Sequence, residues 1–170
     1  KLHMKDQIIT KKILNWYDIN KRVLPWRKNL SQKKKQYYTL VSEFMLQQTQ
    51  VATVIPFFKR FIKNIPDLEA LANFDNHKLI KLWEGLGYYS RVRNLKKTAQ
   101  IVVKHFDKKL PRKYLDLKSL PGIGDYTASA ISAIAFNKRI IPLDGNIERV
   151  LKRYLYLSLI HISEPTRPVP

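Results

Sequence analysis

The sequence contains no cysteine among its 170 residues. The chain therefore supplies no disulfide, no thiolate zinc site, no cysteine ligand for an iron–sulfur cluster and no cysteine nucleophile. It also lacks long apolar runs, since the longest, around Tyr154 to Ile160, is far too short to span a bilayer. The N-terminus has no secretory hydrophobic region. These absences predict an intracellular protein with no membrane partner, and we expect it in the cytoplasm.

Acidic residues are scarce as well. The chain has 13 Asp and Glu residues against 32 Lys and Arg residues, which gives a net charge of +19. Such an excess favours a polyanionic partner. Nucleic acid is the leading candidate, and a ribosome-associated or generally basic protein is the alternative. A content of 45% hydrophobic and 11% aromatic residues excludes intrinsic disorder despite this charge.

Only five glycines occur, and none precedes Gly85. Elsewhere apolar residues recur at helical spacing, and no stretch alternates convincingly in the manner of a strand. The sequence therefore predicts an all-α fold, with helices over residues 6–18, 38–48, 51–63, 67–73, 76–84, 90–106, 124–136 and 145–156. Asp67 and Asp75 are predicted N-caps, and Pro56 predicts a break or kink. The basic run Lys28–Gln36 is predicted to be a surface loop.

A glycine hairpin is the most specific short motif. Two glycines, Gly122 and Gly124, flank Ile123 just before the small-residue helix at 127–135. This spacing allows a tight hairpin whose backbone amides face outward at the start of the helix, where free N–H groups and the helix dipole favour a phosphate. Ile123 is expected to anchor the hairpin in the core. The alternative is an ordinary interhelical turn, but the basic composition favours binding of the DNA backbone.

Two carboxylates occupy contrasting sequence environments. Glu43 lies in the apolar segment Leu40–Leu46, so we expect it to be largely buried, with a raised pKa that suits a general acid. Asp144 precedes Gly145 where a helix begins, and free amides there favour its ionised form. Glycoside cleavage uses such a pair, because one group protonates the leaving group while the other faces an oxocarbenium-like cation. The alternatives are a buried salt bridge or a solvent-facing position for Glu43 and a plain N-cap for Asp144.

Four motifs in order resemble those of the MutY-type adenine DNA glycosylases: Leu24–Arg27, Ser42–Val51, Trp83–Leu95 and Leu143–Asn146. The similarity is collinear from about Ile8 to Tyr156. It implies the helix–hairpin–helix glycosylase fold, with two helical domains and the active site in the cleft between them. It also implies a monomer that removes adenine mispaired with 8-oxoguanine or guanine from double-stranded DNA in base excision repair. Such an enzyme associates with the bacterial nucleoid when it acts on DNA.

The resemblance assigns roles to individual residues. Glu43 protonates adenine and helps to activate water, and Asp144 stabilises the sugar cation or captures it transiently. Asn146 and Tyr126 support Asp144. The residues that line the pocket for the extruded base are Trp26 and Arg27.

Other residues are assigned to the DNA itself. An enzyme that extrudes a base must fill the gap, and the resemblance gives this task and contact with the opposite base to Gln48, Thr49, Leu86 and Tyr88. The glycines around Leu86 are expected to present it and Tyr88 to solvent rather than to the core. Arg91 is expected to contact a phosphate or to be a helix-surface charge.

Two alternatives to this function differ at identifiable positions. A glycosylase/lyase of the endonuclease III type, acting on oxidised pyrimidines, needs a lysine after the hairpin to form a Schiff base. This chain has Tyr126 there, which predicts a monofunctional glycosylase. A non-catalytic helix–hairpin–helix module that only binds DNA would leave Glu43 and Asp144 without a task.

The sequence also predicts a domain division. Residues 1–25 form an N-terminal helix of the second helical domain, 26–136 a helical barrel with the helix–hairpin–helix at 114–136, and 137–156 the start of the second domain. Residues 157–170 read as a non-native tail, which predicts a truncated chain. The resemblance implies a 4Fe–4S cluster in the full-length family member, on cysteines beyond this region, and often a domain that reads 8-oxoguanine.

Overall fold

A computed structural model describes residues 4–28 and 30–154, with side chains from residue 7 onward. This part of the chain is helical and contains no strand, which confirms the all-α prediction. The helices are α1 (Met4–Asn20), α2 (Gln32–Leu46), α3 (Val51–Asn64), α4 (Leu68–Asn73), α5 (Asn76–Trp83), α6 (Ser90–His105), α7 (Tyr114–Lys118), α8 (Asp125–Phe136) and α9 (Gly145–Tyr154). A single 3₁₀ turn spans Pro25–Arg27. None of the helices described is long and apolar enough to cross a membrane.

Most predicted helices occur within a few residues of their expected bounds, and both predicted caps form. The Asp67 Oδ1 atom accepts a hydrogen bond from the Ala70 amide at 2.9 Å. The Asp75 Oδ1 atom accepts one from the Lys78 amide, also at 2.9 Å. Each carboxylate thereby satisfies an amide that the first turn of its helix leaves without a partner.

Two local expectations were wrong. The run Lys28–Gln36 is not a loop throughout, because α2 begins at Gln32; lysine and glutamine are good helix formers. Pro56 does not interrupt α3, which continues to Asn64. The buried Val54 and Phe58 hold the helix on either side of the proline, and this packing offsets the lost hydrogen bond. The short α7 helix begins at Tyr114, where the predicted helix–hairpin–helix begins.

The hydrophobic core extends from Trp26 to Phe136 and is built around α2. This helix packs against α3, α6 and α8. The end of α2 consequently lies beside the start of α6 and the glycine hairpin before α8. The large apolar side chains of α1, such as Ile13 and Trp16, are exposed, and α9 has no buried residue. The division at residues 25 and 136 into two domains stays a prediction, and the predicted tail at 157–170 lies outside the described residues.

Candidate active site

Most of the predicted catalytic and pocket residues line one cavity of about 670 Å³. Its walls include Trp26, Arg27, Glu43, Gln48, Thr49, Tyr126, Asp144 and Asn146. They come from the 3₁₀ turn, the C-terminal half of α2 and the loop after it, the start of α8, and the start of α9. Cavities of about 300–1,000 Å³ are typical of small-ligand sites. The fold therefore places groups that are distant in sequence around one space of the size of a small-ligand site.

Glu43 is the buried acid of this cavity. Its side chain projects from α2 among apolar neighbours, and the residue is 7% exposed. Burial raises the pKa of its carboxyl group from 4.5 to about 7, and the nearby Arg27 charge opposes this only in part. A carboxyl group with this pKa is partly protonated at neutral pH. It can therefore donate a proton and, once ionised, accept one.

Asp144 is held by the first turn of α9. Its Oδ1 atom accepts hydrogen bonds from the Asn146 amide at 3.0 Å and the Ile147 amide at 2.7 Å. The carboxylate is an N-cap and also lines the cavity. Its role as a helix cap therefore does not exclude a role in the site. Asn146 lines the same wall, and its side-chain oxygen accepts a hydrogen bond from Arg149 at 2.9 Å.

Tyr126 lies in the first turn of α8, directly after the hairpin, and its side chain is 46% exposed. Burial raises the pKa of its phenol, and the charges of Glu43 and Asp144 raise it further, while Arg27 opposes the shift. The hydroxyl group therefore stays protonated at neutral pH and is available as a hydrogen-bond donor at the cavity wall.

The pocket residues of the 3₁₀ turn have different environments. Trp26 is 3% exposed and packs edge-on against Phe58, with ring centroids 5.1 Å apart. It therefore belongs to the core and to the cavity wall at once. Arg27 is exposed and supplies positive charge beside Glu43.

The glycine hairpin adopts the predicted turn. Gly122 has a φ of +77°, and a Cβ atom there would lie 2.8 Å from the Phe44 ring, so glycine is required on both conformational and steric grounds. Ile123 is buried, as expected. Gly124 forms the N-cap of α8 without a side-chain cap, which leaves the amides of the first turn available to an anion. Its own φ of −87° needs no glycine.

Leu86 and Tyr88 differ in their exposure to solvent. Leu86 is buried, so the expectation that its side chain faces solvent was wrong. The flanking Gly85 and Gly87 have φ values of +97° and +69°, and the two bends turn Leu86 into the core. Tyr88 is 62% exposed, as expected.

Arg91 corrects both expectations stated for it. The residue is only 6% exposed, so it is neither a helix-surface charge nor a phosphate contact. Its guanidinium group instead donates hydrogen bonds to carbonyl oxygens at the end of α2 and in the loop before α6, among them those of Met45 and Leu86. A local pattern cannot reveal this role, because the Met45 acceptor on α2 is 46 residues away along the chain.

Sequence reasoning also missed residues of the cavity wall. Arg22, Gln47 and Thr127 all line it. Gln47 additionally donates a hydrogen bond from Nε2 to the Gly122 carbonyl at 3.1 Å, which joins the end of α2 to the hairpin. The signal available was its place beside Gln48, in a polar run that follows the apolar C-terminal half of α2.

The helical core, the hairpin and the paired carboxyl groups define a helix–hairpin–helix protein with a glycosidase-like site. The model of the HhH-GPD superfamily of base excision DNA repair proteins matches residues 41–162, and the chain belongs to this superfamily.

Among its relatives, the adenine DNA glycosylase of Buchnera aphidicola subsp. Baizongia pistaciae is 46% identical over 148 residues, which cover 86% of this chain and 41% of that protein. The adenine DNA glycosylase of Rattus norvegicus is 46% identical over 146 residues, or 83% of this chain and 28% of that protein. These similarities confirm the resemblance to adenine DNA glycosylases. The chain spans about two fifths of the length of the Buchnera relative.

Solved structures share the fold. A thermostable thymine-DNA glycosylase superposes with a TM-score of 0.77 at 25% identity, covering 86% of this chain and 66% of that one. Endonuclease III in a non-covalent complex with DNA gives a TM-score of 0.72 at 21% identity, covering 95% of this chain and 73% of that one. The second similarity bears on the fold alone.

The 4Fe–4S cluster that the resemblance implies does not fit the residues present. Thiolates are the usual ligands of such clusters, and the chain has no cysteine. Nor do the described residues contain a group of His, Asp and Glu side chains that could hold a metal ion. No step below involves a cluster.

Proposed function

We propose that this chain carries the catalytic site of an adenine-specific DNA glycosylase. It hydrolyses the N-glycosidic bond of adenine mispaired with 8-oxoguanine or guanine in double-stranded DNA, as a step of base excision repair. The observation that carries the proposal is the buried Glu43, with a pKa of about 7, in one cavity with the capped carboxylate of Asp144. The adenine DNA glycosylases at 46% identity support the choice of base.

The geometry divides the reaction between the two carboxyl groups. Adenine inside a duplex is inaccessible, so the base must be extruded into the cavity. Glu43 gives its proton to a ring nitrogen of adenine as the glycosidic bond breaks, and the bonding electrons leave with the base. The sugar is left as an oxocarbenium-like cation that faces Asp144. Water then adds to the sugar carbon, and the ionised Glu43 accepts the proton that the water loses.

DNA contacts follow from the surroundings of the cavity. We propose that the uncapped amides at the start of α8 bind a backbone phosphate. The exposed side chains of Gln48 and Tyr88 enter the duplex beside the extruded base in this proposal. We propose that the protein acts as a monomer on DNA in the cytoplasm, with the net charge of +19 attracting the polyanion.

The direct test is release of the base from defined duplexes. We expect free adenine from duplexes that contain adenine opposite 8-oxoguanine or guanine, and none from the matched adenine–thymine duplex. A duplex with an oxidised pyrimidine tests the endonuclease III alternative. Release of that pyrimidine, or binding of all duplexes with no release, would contradict the proposal.

Tyr126 makes a separate prediction about the product. A lyase needs an amine that forms a Schiff base with the abasic sugar, and the residue after the hairpin in this chain is Tyr126, a phenol. The abasic strand should therefore stay intact until alkali or heat is applied. Borohydride should trap little covalent complex with the wild type, and more with Tyr126→Lys. A wild-type adduct mapped to a lysine at the hairpin would show that the enzyme is a lyase.

A further inference from the structure

Two loops with exposed side chains lie side by side near the cavity. The glutamine loop (residues 47–50) joins α2 to α3, and the tyrosine loop (residues 84–89) joins α5 to α6. Each carries a non-glycine residue in the left-handed region, Gln48 with a φ of +57° and Tyr88 with a φ of +48°. Such conformations are strained for residues other than glycine and persist only where the surroundings hold them. Something in the structure must therefore fix both loops.

The Arg91 side chain joins the two loops. Its Nη1 group donates to four oxygens at the end of α2 and in the glutamine loop, which are those of the Phe44 carbonyl at 3.4 Å, the Met45 carbonyl at 2.9 Å, the Gln47 carbonyl and the Thr49 hydroxyl at 3.0 Å. Its Nη2 group donates to two carbonyl oxygens of the tyrosine loop, Leu86 at 2.9 Å and Gly87 at 3.1 Å. One nitrogen thus serves each loop, and the rigid plane of the guanidinium group fixes their separation.

The environment of Arg91 is that of a structural brace. The residue is 6% exposed, and all six of these acceptors are neutral. Its guanidinium carbon lies 5.3 Å from the centroid of the Tyr88 ring, so the same group also supports the exposed aromatic side chain. A lysine has a single nitrogen at the end of its chain and cannot reproduce this two-sided arrangement.

We propose that Arg91 is a positioning residue that holds the glutamine and tyrosine loops as one rigid unit, so that Gln48 and Tyr88 meet a mismatched duplex at a fixed separation. The consequence for DNA rests on the proposed function. The joining of the loops rests on the hydrogen bonds alone. Arg91 acts through these two loops, since it is itself only 6% exposed.

The test compares Arg91→Met and Arg91→Lys with a matched control on the same helix. Val102→Ala removes buried volume from α6 at a point about 16 Å along the helix axis from Arg91. It shows how a loss of stability alone changes hydrogen exchange in the two loops. Amide hydrogen exchange is measured on the free proteins at temperatures equally far below each melting point. We expect both Arg91 variants to speed exchange in both loops by about tenfold or more, while the control leaves both loops protected.

Binding then reports the effect on DNA. The probes are a duplex with a tetrahydrofuran abasic site opposite 8-oxoguanine and the same duplex undamaged. We expect both Arg91 variants to lose about tenfold in preference for the abasic duplex, with affinity for the undamaged duplex close to wild type.

Exchange that changes in neither loop, in one loop only, or equally in the control would overturn the proposed joining. Exchange in Arg91→Lys that is as slow as in wild type in both loops would also overturn the proposal, because a single positive charge would then be enough to hold them. If wild type shows no preference for the abasic duplex while exchange responds as expected, the proposed function fails and the joining of the loops stands.

Discussion

Glu43→Gln is expected to slow adenine release by about 10²–10⁴-fold, the usual contribution of a general acid or base. Glutamine keeps the size and hydrogen-bonding capacity of the side chain but has no proton to give. Single-turnover release from the adenine–8-oxoguanine duplex measures the rate, and binding of the same duplex should stay close to wild type. Glu69→Gln removes a carboxylate of α4, outside the cavity and outside both loops, and should leave the rate unchanged. A Glu43→Gln variant that binds poorly but releases adenine at the normal rate would show that Glu43 is structural.

The pH dependence identifies the same proton. Because the reaction needs protonated Glu43, wild-type release should decline as the pH rises through about 7. The residual activity of Glu43→Gln should lack this decline. A wild-type rate that rises steadily across pH 6–8 would assign the acid to another group.

Glu43→Gln is expected to raise stability at high pH while it lowers activity. The native state binds the Glu43 proton more tightly than the unfolded chain, since its pKa is raised from 4.5 to about 7. Native stability therefore falls as the pH rises from 4.5 through about 7, by on the order of 3 kcal/mol in total. Glu43→Gln should melt above wild type at pH 8 and lose this advantage below pH 4.5. This comparison separates a catalytic loss from damage to the fold.

Asp144→Asn is the second large effect expected. Asparagine caps a helix as well as aspartate does, so α9 keeps its first turn while the sugar cation loses the negative charge that faces it. We expect release to fall by about 10²–10³-fold, as when one preorganised electrostatic group is removed, with mismatch binding retained. The measurement is again single-turnover release, with circular dichroism to verify the helical content.

The chain offers a matched control for this substitution. Asp75 caps α5 in the same manner but does not line the cavity, so Asp75→Asn changes charge and cap identically. It should leave adenine release unchanged. Equal losses in the two variants would show that the charge of Asp144 has no special part in the reaction.

The helices and the buried acid could be read from local sequence. The apolar neighbours of Glu43 share its helix, and a helix that packs on one face buries whatever lies on that face. The caps at Asp67 and Asp75 could also be predicted from local sequence, because the amides that they bind are three residues away. The site itself, with Glu43 and Asp144 on one cavity, came from the family resemblance rather than from spacing.

Tertiary structure decided what depends on distant partners. A loop residue turns inward or outward according to the bends beside it and the space beneath it, so Leu86 became part of the core while Tyr88 did not. Arg91 looks like any basic residue on a helix until α2 places unpaired carbonyl oxygens against it. The sequence determined which side chains can bear a proton or a charge. Only the packing of α2 against α6 determined which buried oxygens Arg91 binds, because hydrogen bonds act over a few ångströms while the residues that make them lie far apart along the chain.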